Sequence, residues 1–163
     1  MTKNVRQMVR AAVIAGLYVV LTHLQNILIP NSTSFAIQFR ASEALCVLAF
    51  FTPAAIPGLT VGCLLFNLTN VGALPLDLLL GTAATLGAVS TMRLLRRFPV
   101  IGLWMPAVWN ALLVGWELSI YMGGGFWMNA LYVGIGEAAV LLTLGTALYF
   151  AMKSRNLHTR LFE

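Results

Sequence analysis

The segment FTPAAIPG at residues 51–58 divides a long apolar stretch of this chain, from Ala41 to Leu76, into two parts. Proline lacks a backbone N–H and disfavours helical conformation in the residue before it, so Pro53 and Pro57 predict a turn between two helices. A spanning helix needs roughly 17 to 25 mainly apolar residues. The first of the two predicted spans, 41–52, is shorter than that, and a tilted, broken or partly re-entrant segment stays open for it.

The composition is that of an integral membrane protein. Hydrophobic residues make up 60% of the 163 residues and charged residues only 9%, and the mean hydropathy is +0.87. A soluble domain needs far more polar surface than this, so the bilayer is the expected surroundings. The net charge of +5 does not predict nucleic-acid binding, because the basic residues flank apolar runs and share no soluble face.

Six apolar segments are expected to cross the membrane as one domain. Their approximate bounds are 8–29, 41–52, 53–70, 75–92, 101–120 and 126–152. Gly123-Gly124-Gly125 favours a turn between the last two. The first segment is long and lacks a small-x-small cleavage site, so we interpret it as a retained span.

Nine of the ten basic residues fall in three clusters: Lys3, Arg6 and Arg10; Arg93, Arg96 and Arg97; and Lys153, Arg155 and Arg160. Cytoplasmic loops collect Lys and Arg. Six crossings place all three clusters inside and leave Arg40 outside, whereas a single crossing over 41–70 would export the middle cluster. The expected fold class is therefore an all-α integral membrane protein with six transmembrane helices and cytoplasmic N- and C-termini.

Acidic residues inside the spans are the strongest functional candidates, because charges in a membrane are costly and usually face the bundle interior. With the topology above, Glu43, Asp77 and Glu117 lie on the outward half. Glu137 lies roughly 16 Å into the sixth span, near mid-depth. Asp77 also suits a helix start electrostatically, and Arg40 has the spacing to pair with Glu43.

Amides and aromatic side chains accumulate near these acids in the predicted topology. Carboxylates, amides and aromatic planes together suit a flat, hydrogen-bonding, cationic heterocycle, although Trp116 has the alternative role of an interfacial aromatic. The candidate substrate-binding residues are Glu43, Asn67, Asp77, Asn110, Trp116, Glu117, Asn129 and Glu137.

No enzymatic motif is found in the sequence. Nucleophile elbows, zinc-binding helices and phosphate-binding loops are absent. We therefore expect neither an enzyme nor a cofactor, metal site or ATPase of its own. Cys46 and Cys63 are interpreted as small buried hydrophobes, and His23 as a hydrogen-bonded structural residue.

Small residues at helical spacing mark faces where another helix can approach closely. Ala11 and Ala15, together with Ala12 and Gly16, form such a ridge at the start of the first span. Gly58 and Gly62 form another in the third. From spacing alone, the neighbour is either a helix of this chain or another subunit.

Several motifs together resemble the QueT family, the substrate-binding (S) components of energy-coupling factor (ECF) transporters. The resemblance covers most of the chain. It is carried by Arg40-Ala-Ser-Glu43-Ala-Leu, the 51–59 segment FTPAAIPGL, Gly62-Cys63 with Asn67, Asp77-x-x-x-Gly81, and Asn110-Ala-Leu-x-Val-Gly115.

The resemblance implies a bacterial plasma-membrane protein with an outward pocket, closed by the loop after the first helix. It also implies assembly with a transmembrane coupling subunit, docked at Ala11 and Ala15, and with two ATPase subunits. The implied substrate is a queuosine precursor, 7-aminomethyl-7-deazaguanine or a related deazapurine. Glu137 or Glu117 would then bind the guanine-like edge, and Asp77 or Glu43 the ammonium group.

Three alternatives stay open. A stand-alone proton-coupled carrier would use Glu137 as its titrating group. An S component for another vitamin-like substrate would share the architecture, and a non-transporting scaffold would not need the acids.

Overall fold

The computed structural model describes residues 2–30, 32, 38–154, 157 and 159. The described residues form helices joined by turns, with no β-strand among them. The helices are α1 (Lys3–Leu28), a 3-10 helix (Ala41–Phe50), α2 (Ala55–Thr69), α3 (Asp77–Leu94), α4 (Pro99–Gly102), α5 (Met105–Tyr121), α6 (Phe126–Val140), a one-turn π-helix (Leu141–Gly145) and α7 (Thr146–Ser154).

Six helical segments correspond to the six predicted spans, because α4 leads into α5 and α6 continues through the π-helix into α7. The largest difference in bounds is at α1, which begins at Lys3 rather than near residue 8. A helix can continue beyond the membrane surface, so the residues before the apolar run, among them Lys3 and Arg6, extend α1 at its start.

Prolines and glycines place the breaks. Pro53 lies between the 3-10 helix and α2, and Pro99 and Pro106 each stand in the first turn of a helix, where the missing N–H costs nothing. Gly123, Gly124 and Gly125 have φ angles of 72°, 80° and 79°. Residues with side chains rarely adopt such values, so this turn between α5 and α6 requires glycine.

The 3-10 helix explains how the short second segment reaches through the bundle. A 3-10 helix rises about 2.0 Å per residue against 1.5 Å in an α-helix, so ten residues extend about 20 Å rather than 15 Å. Its ends are held by other helices. Gln25 Oε1 accepts from the Ala41 N–H at 2.7 Å, and Arg93 donates to the carbonyls of Ala49 and Phe50.

Contacts between α1 and α2 show that the two helices run in the same direction. Gly58 lies against Ala11 and Gly62 against Ala15, while the ring of His23 packs on Phe66 near the ends of both helices. The two ridges of small residues thus meet each other within the chain.

The 3-10 helix runs in the opposite direction and packs against both α1 and α2. Thr22 is hydrogen-bonded to Ser42, and Tyr18 donates to Glu43, so the 3-10 helix starts near the end of α1. The segment 41–69 therefore passes through the bundle twice, in agreement with two crossings rather than one.

The remaining helices also alternate in direction. Trp109 bonds to Thr91 and Glu117 lies beside Asp77, so α3 and α5 are antiparallel neighbours. Ala130 packs on Gly115 and Ala111 on Gly134, so α5 and α6 are antiparallel neighbours as well. Gly145 contacts Val47, and Tyr149 packs on Phe50, which places the π-helix and α7 alongside the 3-10 helix in the same direction.

Opposite charges collect at opposite ends of this bundle. Arg10 shares a groove with Leu48 and Met152, and Arg93 contacts the end of the 3-10 helix. This is the basic end; its described basic residues are Lys3, Arg6, Arg10, Arg93, Arg96, Arg97 and Lys153. Arg155 and Arg160 lie outside the described residues. Arg40, Glu43, Asp77 and Glu117 mark the other, acidic end.

Three helical segments within the described residues are long and apolar enough to span a membrane by themselves: Lys3–Leu28, Pro99–Tyr121 and Phe126–Ser154. Ala41–Phe50 and Ala55–Thr69 are apolar but shorter. Eight of the ten residues of the 3-10 helix are buried, so it lies inside the bundle, where the longer helices shield it.

Candidate functional site

Buried carboxyl groups from four helical segments lie in the acidic half of the bundle. Glu43 comes from the 3-10 helix, Asp77 from the start of α3, Glu117 from α5 and Glu137 from α6; none is more than 5% exposed. A carboxylate away from water is costly unless hydrogen bonds or a cation compensate it. The partners of each acid therefore indicate its role.

Glu43 is fully engaged by its own chain. Tyr18 Oη donates to Glu43 Oε1 at 2.7 Å, and Cys46 Sγ donates to Oε2 at 3.1 Å. One turn further along α1, Thr22 Oγ1 and Ser42 Oγ are hydrogen-bonded at 2.7 Å. These bonds connect α1 to the 3-10 helix and hold Glu43 in a fixed position.

Arg40 is the cation that faces these acids within the described part of the chain. Its side chain is 3% exposed and lies within electrostatic range of Glu43 and Asp77, and also of Glu117 and Glu137. Its guanidinium carbon is 5.9 Å from the centroid of the Phe66 ring. Residues 31 and 33–37, outside the described set, contain no charged side chain. Four acids thus share one cation.

A second group of contacts surrounds Asp77, at the junction of α2, α3 and α5. The Leu74 N–H donates to Asp77 Oδ2 at 2.9 Å, and Asn67 Nδ2 donates to the Asp77 carbonyl at 2.8 Å. The Glu117 carboxyl group lies beside that of Asp77. Both carboxyl groups, deprotonated, would repel each other unless a cation lay between them.

Several buried polar atoms here have no hydrogen-bond partner among the described residues. They are Asp77 Oδ1, Asn67 Oδ1, both side-chain oxygens of Glu117, Glu137 Oε2 and Asn110 Nδ2. Buried polar groups are nearly always paired in proteins, so a set of this kind needs an explanation such as a ligand or ordered water. Five of the six atoms are oxygens, which favours a ligand rich in N–H donors.

Two predicted residues do not contribute to this set. Trp116 is 51% exposed although its neighbour Glu117 is fully buried; successive helical residues point about 100° apart, so Trp116 faces outward. This exposure fits the alternative role of an interfacial aromatic. Asn129 is buried, but its Nδ2 donates to the Gly123 carbonyl at 2.7 Å, which stabilises the glycine turn.

The predicted docking residue Ala15 is also placed differently from the expectation. It is 5% exposed, because Gly62 of α2 lies directly on it. Ala11 is half-buried, while Ala12 and Gly16 are exposed. The part of the ridge open to a partner is therefore Ala12 and Gly16, with Ala11 at its edge.

Four residues of this region were not identified from the sequence: Tyr18, Thr22, Ser42 and Phe66. Tyr18 and Thr22 are one helical turn apart in an otherwise apolar span, and this spacing was the available signal.

Cys46 and Cys63 are free and buried, which confirms their interpretation as small buried residues. His23 bonds to Thr69 at 2.9 Å, as expected of a structural histidine. Among the described residues, no three His, Cys, Asp or Glu side chains converge on a metal position.

Comparison with protein families identifies the chain. A family model described as QueT transporter matches residues 8–154. The chain belongs to the QueT transporter family. No curated protein and no solved structure matches it. The resemblance carried by the sequence motifs is thereby confirmed, and the QueT-family chain is a membrane transport protein rather than an enzyme.

Membership in the QueT transporter family indicates why a membrane protein would keep acids buried in its interior. A transporter must hold its substrate inside the bundle, and polar side chains within a membrane mark substrate pathways. The unpaired oxygens of Glu117, Glu137 and Asp77 lie in such an interior. The loop that the resemblance predicts as a cover falls largely on residues 31 and 33–37, outside the described set.

Proposed function

We propose that this protein is the substrate-binding component of an ECF-type importer in a bacterial plasma membrane. Its substrate is a cationic deazapurine such as 7-aminomethyl-7-deazaguanine, bound from the outer side. In this proposal the basic end and both termini face the cytoplasm, as the distribution of Lys and Arg favours.

The observation that carries the proposal is the charge imbalance of the buried cluster. Four carboxyl groups share Arg40 as the cation that faces them within the described residues. Buried carboxyl groups in excess over the cations that face them favour a positively charged ligand and disfavour an anion. A ligand ammonium group supplies the missing positive charge.

The unpaired atoms support the same class of ligand. A guanine-like ring edge offers N–H donors and one carbonyl acceptor. Glu137 Oε2 is an acceptor without a donor, and the Asn110 amide is a donor without an acceptor, among the described residues. The donor and acceptor pattern of the ligand is therefore complementary to that of the site.

Energy for import comes from partner subunits in this proposal. The sequence has no phosphate-binding loop with Lys and Ser or Thr, so ATP hydrolysis is assigned to two ATPase subunits acting through a transmembrane coupling subunit. The exposed ridge at the basic end of α1 is the proposed contact with that coupling subunit.

Ligand titration of the purified protein tests the substrate. We expect 7-aminomethyl-7-deazaguanine to bind, and Glu137→Gln and Glu117→Gln each to weaken binding at least tenfold, about 1.4 kcal/mol. Glu163→Gln makes the same chemical change at the C-terminal residue and should titrate like the wild type. Unchanged affinity in both buried variants would reject the site.

One observation favours a second candidate, the proton-coupled carrier. Glu137 Oε2 is buried without a partner among the described residues, as a carboxyl group that gains and loses a proton during transport would be. Uptake into proteoliposomes driven by a proton gradient, without ATPase subunits, would support the carrier. Uptake that requires the coupling module and ATP supports the importer.

A further inference from the structure

We propose that Asp77, Glu117 and Asn67 form a subsite for the primary ammonium group of the substrate. This inference rests on the proposed function and deepens it, because it separates the residues that bind the charged group of the substrate from those that bind its ring. It also excludes Glu43, one of the two acids suggested by the sequence, from that role.

Glu43 is excluded because its oxygens are already used. Tyr18 and Cys46 each donate to one of them. A ligand ammonium group would have to displace a bond that joins α1 to the 3-10 helix. Asp77 and Glu117 have free oxygens and need no such displacement.

The number and type of unpaired atoms fit an ammonium group. Asp77 Oδ1, both carboxyl oxygens of Glu117 and Asn67 Oδ1 lack a donor among the described residues. An ammonium group carries three N–H donors and no acceptor. Adjacent carboxyl groups that repel each other when both are deprotonated would both be stabilised by one cation between them.

Asn67 supplies an independent indication of a ligand. It is only 6% exposed, and its Nδ2 is fixed by the bond to the Asp77 carbonyl. Since a carbonyl oxygen only accepts, the amide must present its NH₂ group there, which leaves Oδ1 as a buried acceptor without a donor in the described part of the chain. A neutral acceptor beside two acids completes a shell of oxygens.

Gly81 of α3 lies directly beside Asn67 and Asp77. A Cβ atom at Gly81 would lie 3.1 Å from Asn67 Nδ2 and 3.8 Å from Asp77 Oδ1. Any side chain at this position would therefore press on the Asn67 amide. Glycine at this point of α3 lets Asn67 keep its position beside Asp77.

The test compares two ligands of the same shape that differ in charge. 7-Aminomethyl-7-deazaguanine carries the ammonium group, and 7-ethyl-7-deazaguanine replaces it with a methyl group. We expect the wild type to prefer the charged ligand at least tenfold. Asp77→Asn and Glu117→Gln should each lower this affinity ratio at least tenfold.

Glu137→Gln is the matched control, since it removes a buried carboxylate outside the subsite. It should weaken both ligands and leave their ratio unchanged. The substitutions are isosteric, and the side chain introduced by Asp77→Asn keeps an oxygen for the Leu74 N–H. Binding of the ethyl ligand and far-UV circular dichroism report folding; if one variant fails to fold, the other still decides.

The outcomes separate the two proposals. If the wild type binds neither ligand, the proposed function fails and the subsite with it. If it binds both equally, or if both subsite variants keep the wild-type ratio, the deazapurine function stands and the ammonium subsite is wrong. A ratio that falls in Glu137→Gln but in neither subsite variant would place the ammonium group at Glu137 instead.

Discussion

Tyr18 donates a 2.7 Å hydrogen bond to the carboxyl group of Glu43, and both side chains are fully buried. The bond joins α1 to the 3-10 helix at the acidic end of the bundle. It satisfies one of two oxygens on a carboxyl group that has no access to water, so its value lies chiefly in avoiding an unpaired buried acceptor.

Tyr18→Phe is therefore expected to destabilise the fold. Loss of the hydroxyl leaves Glu43 Oε1 without its donor, at a cost of about 1–3 kcal/mol. Thermal unfolding of the detergent-solubilised protein should show a lower midpoint. In a double-mutant cycle, Glu43→Met, which removes the acceptor, should reduce the effect of Tyr18→Phe, because the two residues interact directly. Additive effects in the cycle would mean that the bond contributes nothing.

A pair of glycines tests the close contact between α1 and α2. A Cβ atom at Gly62 would lie 2.9 Å from Tyr18 Cβ and 3.1 Å from the Ala15 carbonyl oxygen. Gly62→Leu should force the helices apart and cost about 1–3 kcal/mol or more. Gly16, with nothing within 4 Å of its Cβ position, is the control.

Gly16→Leu should leave the unfolding midpoint nearly unchanged. Both substitutions replace glycine by leucine within a helix, so helix propensity acts alike on the two. Equal loss of stability in both variants would contradict the tight contact at Gly62.

The alternating direction of the helices could be predicted from the sequence because it depends only on the number of crossings between the basic clusters. Three basic clusters on one side require an even number of crossings between each pair of clusters. The contacts of Ala11 with Gly58 and of Thr22 with Ser42 agree with that count. Hydropathy and charge are properties of each segment, so no knowledge of its neighbours is needed.

The 3-10 conformation and the choice of pocket residues could not be predicted in this way. The 3-10 helix depends on Gln25 and Arg93, which reach its ends from other helices. Trp116 and Glu117 are adjacent in sequence, and only the packing of α5 decides which of them is buried. Both features depend on which helix face meets which neighbour, and chain composition does not encode this directly.

Cysteine labelling tests the membrane orientation. Val71 and Met122 are exposed at turns of the acidic end, and Phe98 is exposed at a turn of the basic end. In intact cells a membrane-impermeant maleimide should label Val71→Cys and Met122→Cys, and it should label Phe98→Cys only after permeabilisation. Native Cys46 and Cys63 are fully buried and should give little background. The reverse labelling pattern would show that the basic end faces outward, which contradicts the proposed topology.

The exposed part of the α1 ridge tests docking of the coupling subunit. Ala12 and Gly16 face outward at the basic end, and Ala11 lines a neighbouring groove of about 370 Å³ with Pro53. Close helix contact requires small residues, so Ala12→Trp and Gly16→Trp should abolish deazapurine uptake in cells that express the coupling module while the purified variants keep binding the ligand.

Ala15→Trp should behave differently from these two variants, because its side chain would collide with Gly62 inside the chain. We expect it to lose ligand binding together with uptake. Leu24→Trp, on an exposed face near the other end of α1, is the control and should keep both. If Ala12→Trp and Gly16→Trp transport normally, the proposed docking of a coupling subunit at this face of α1 is wrong.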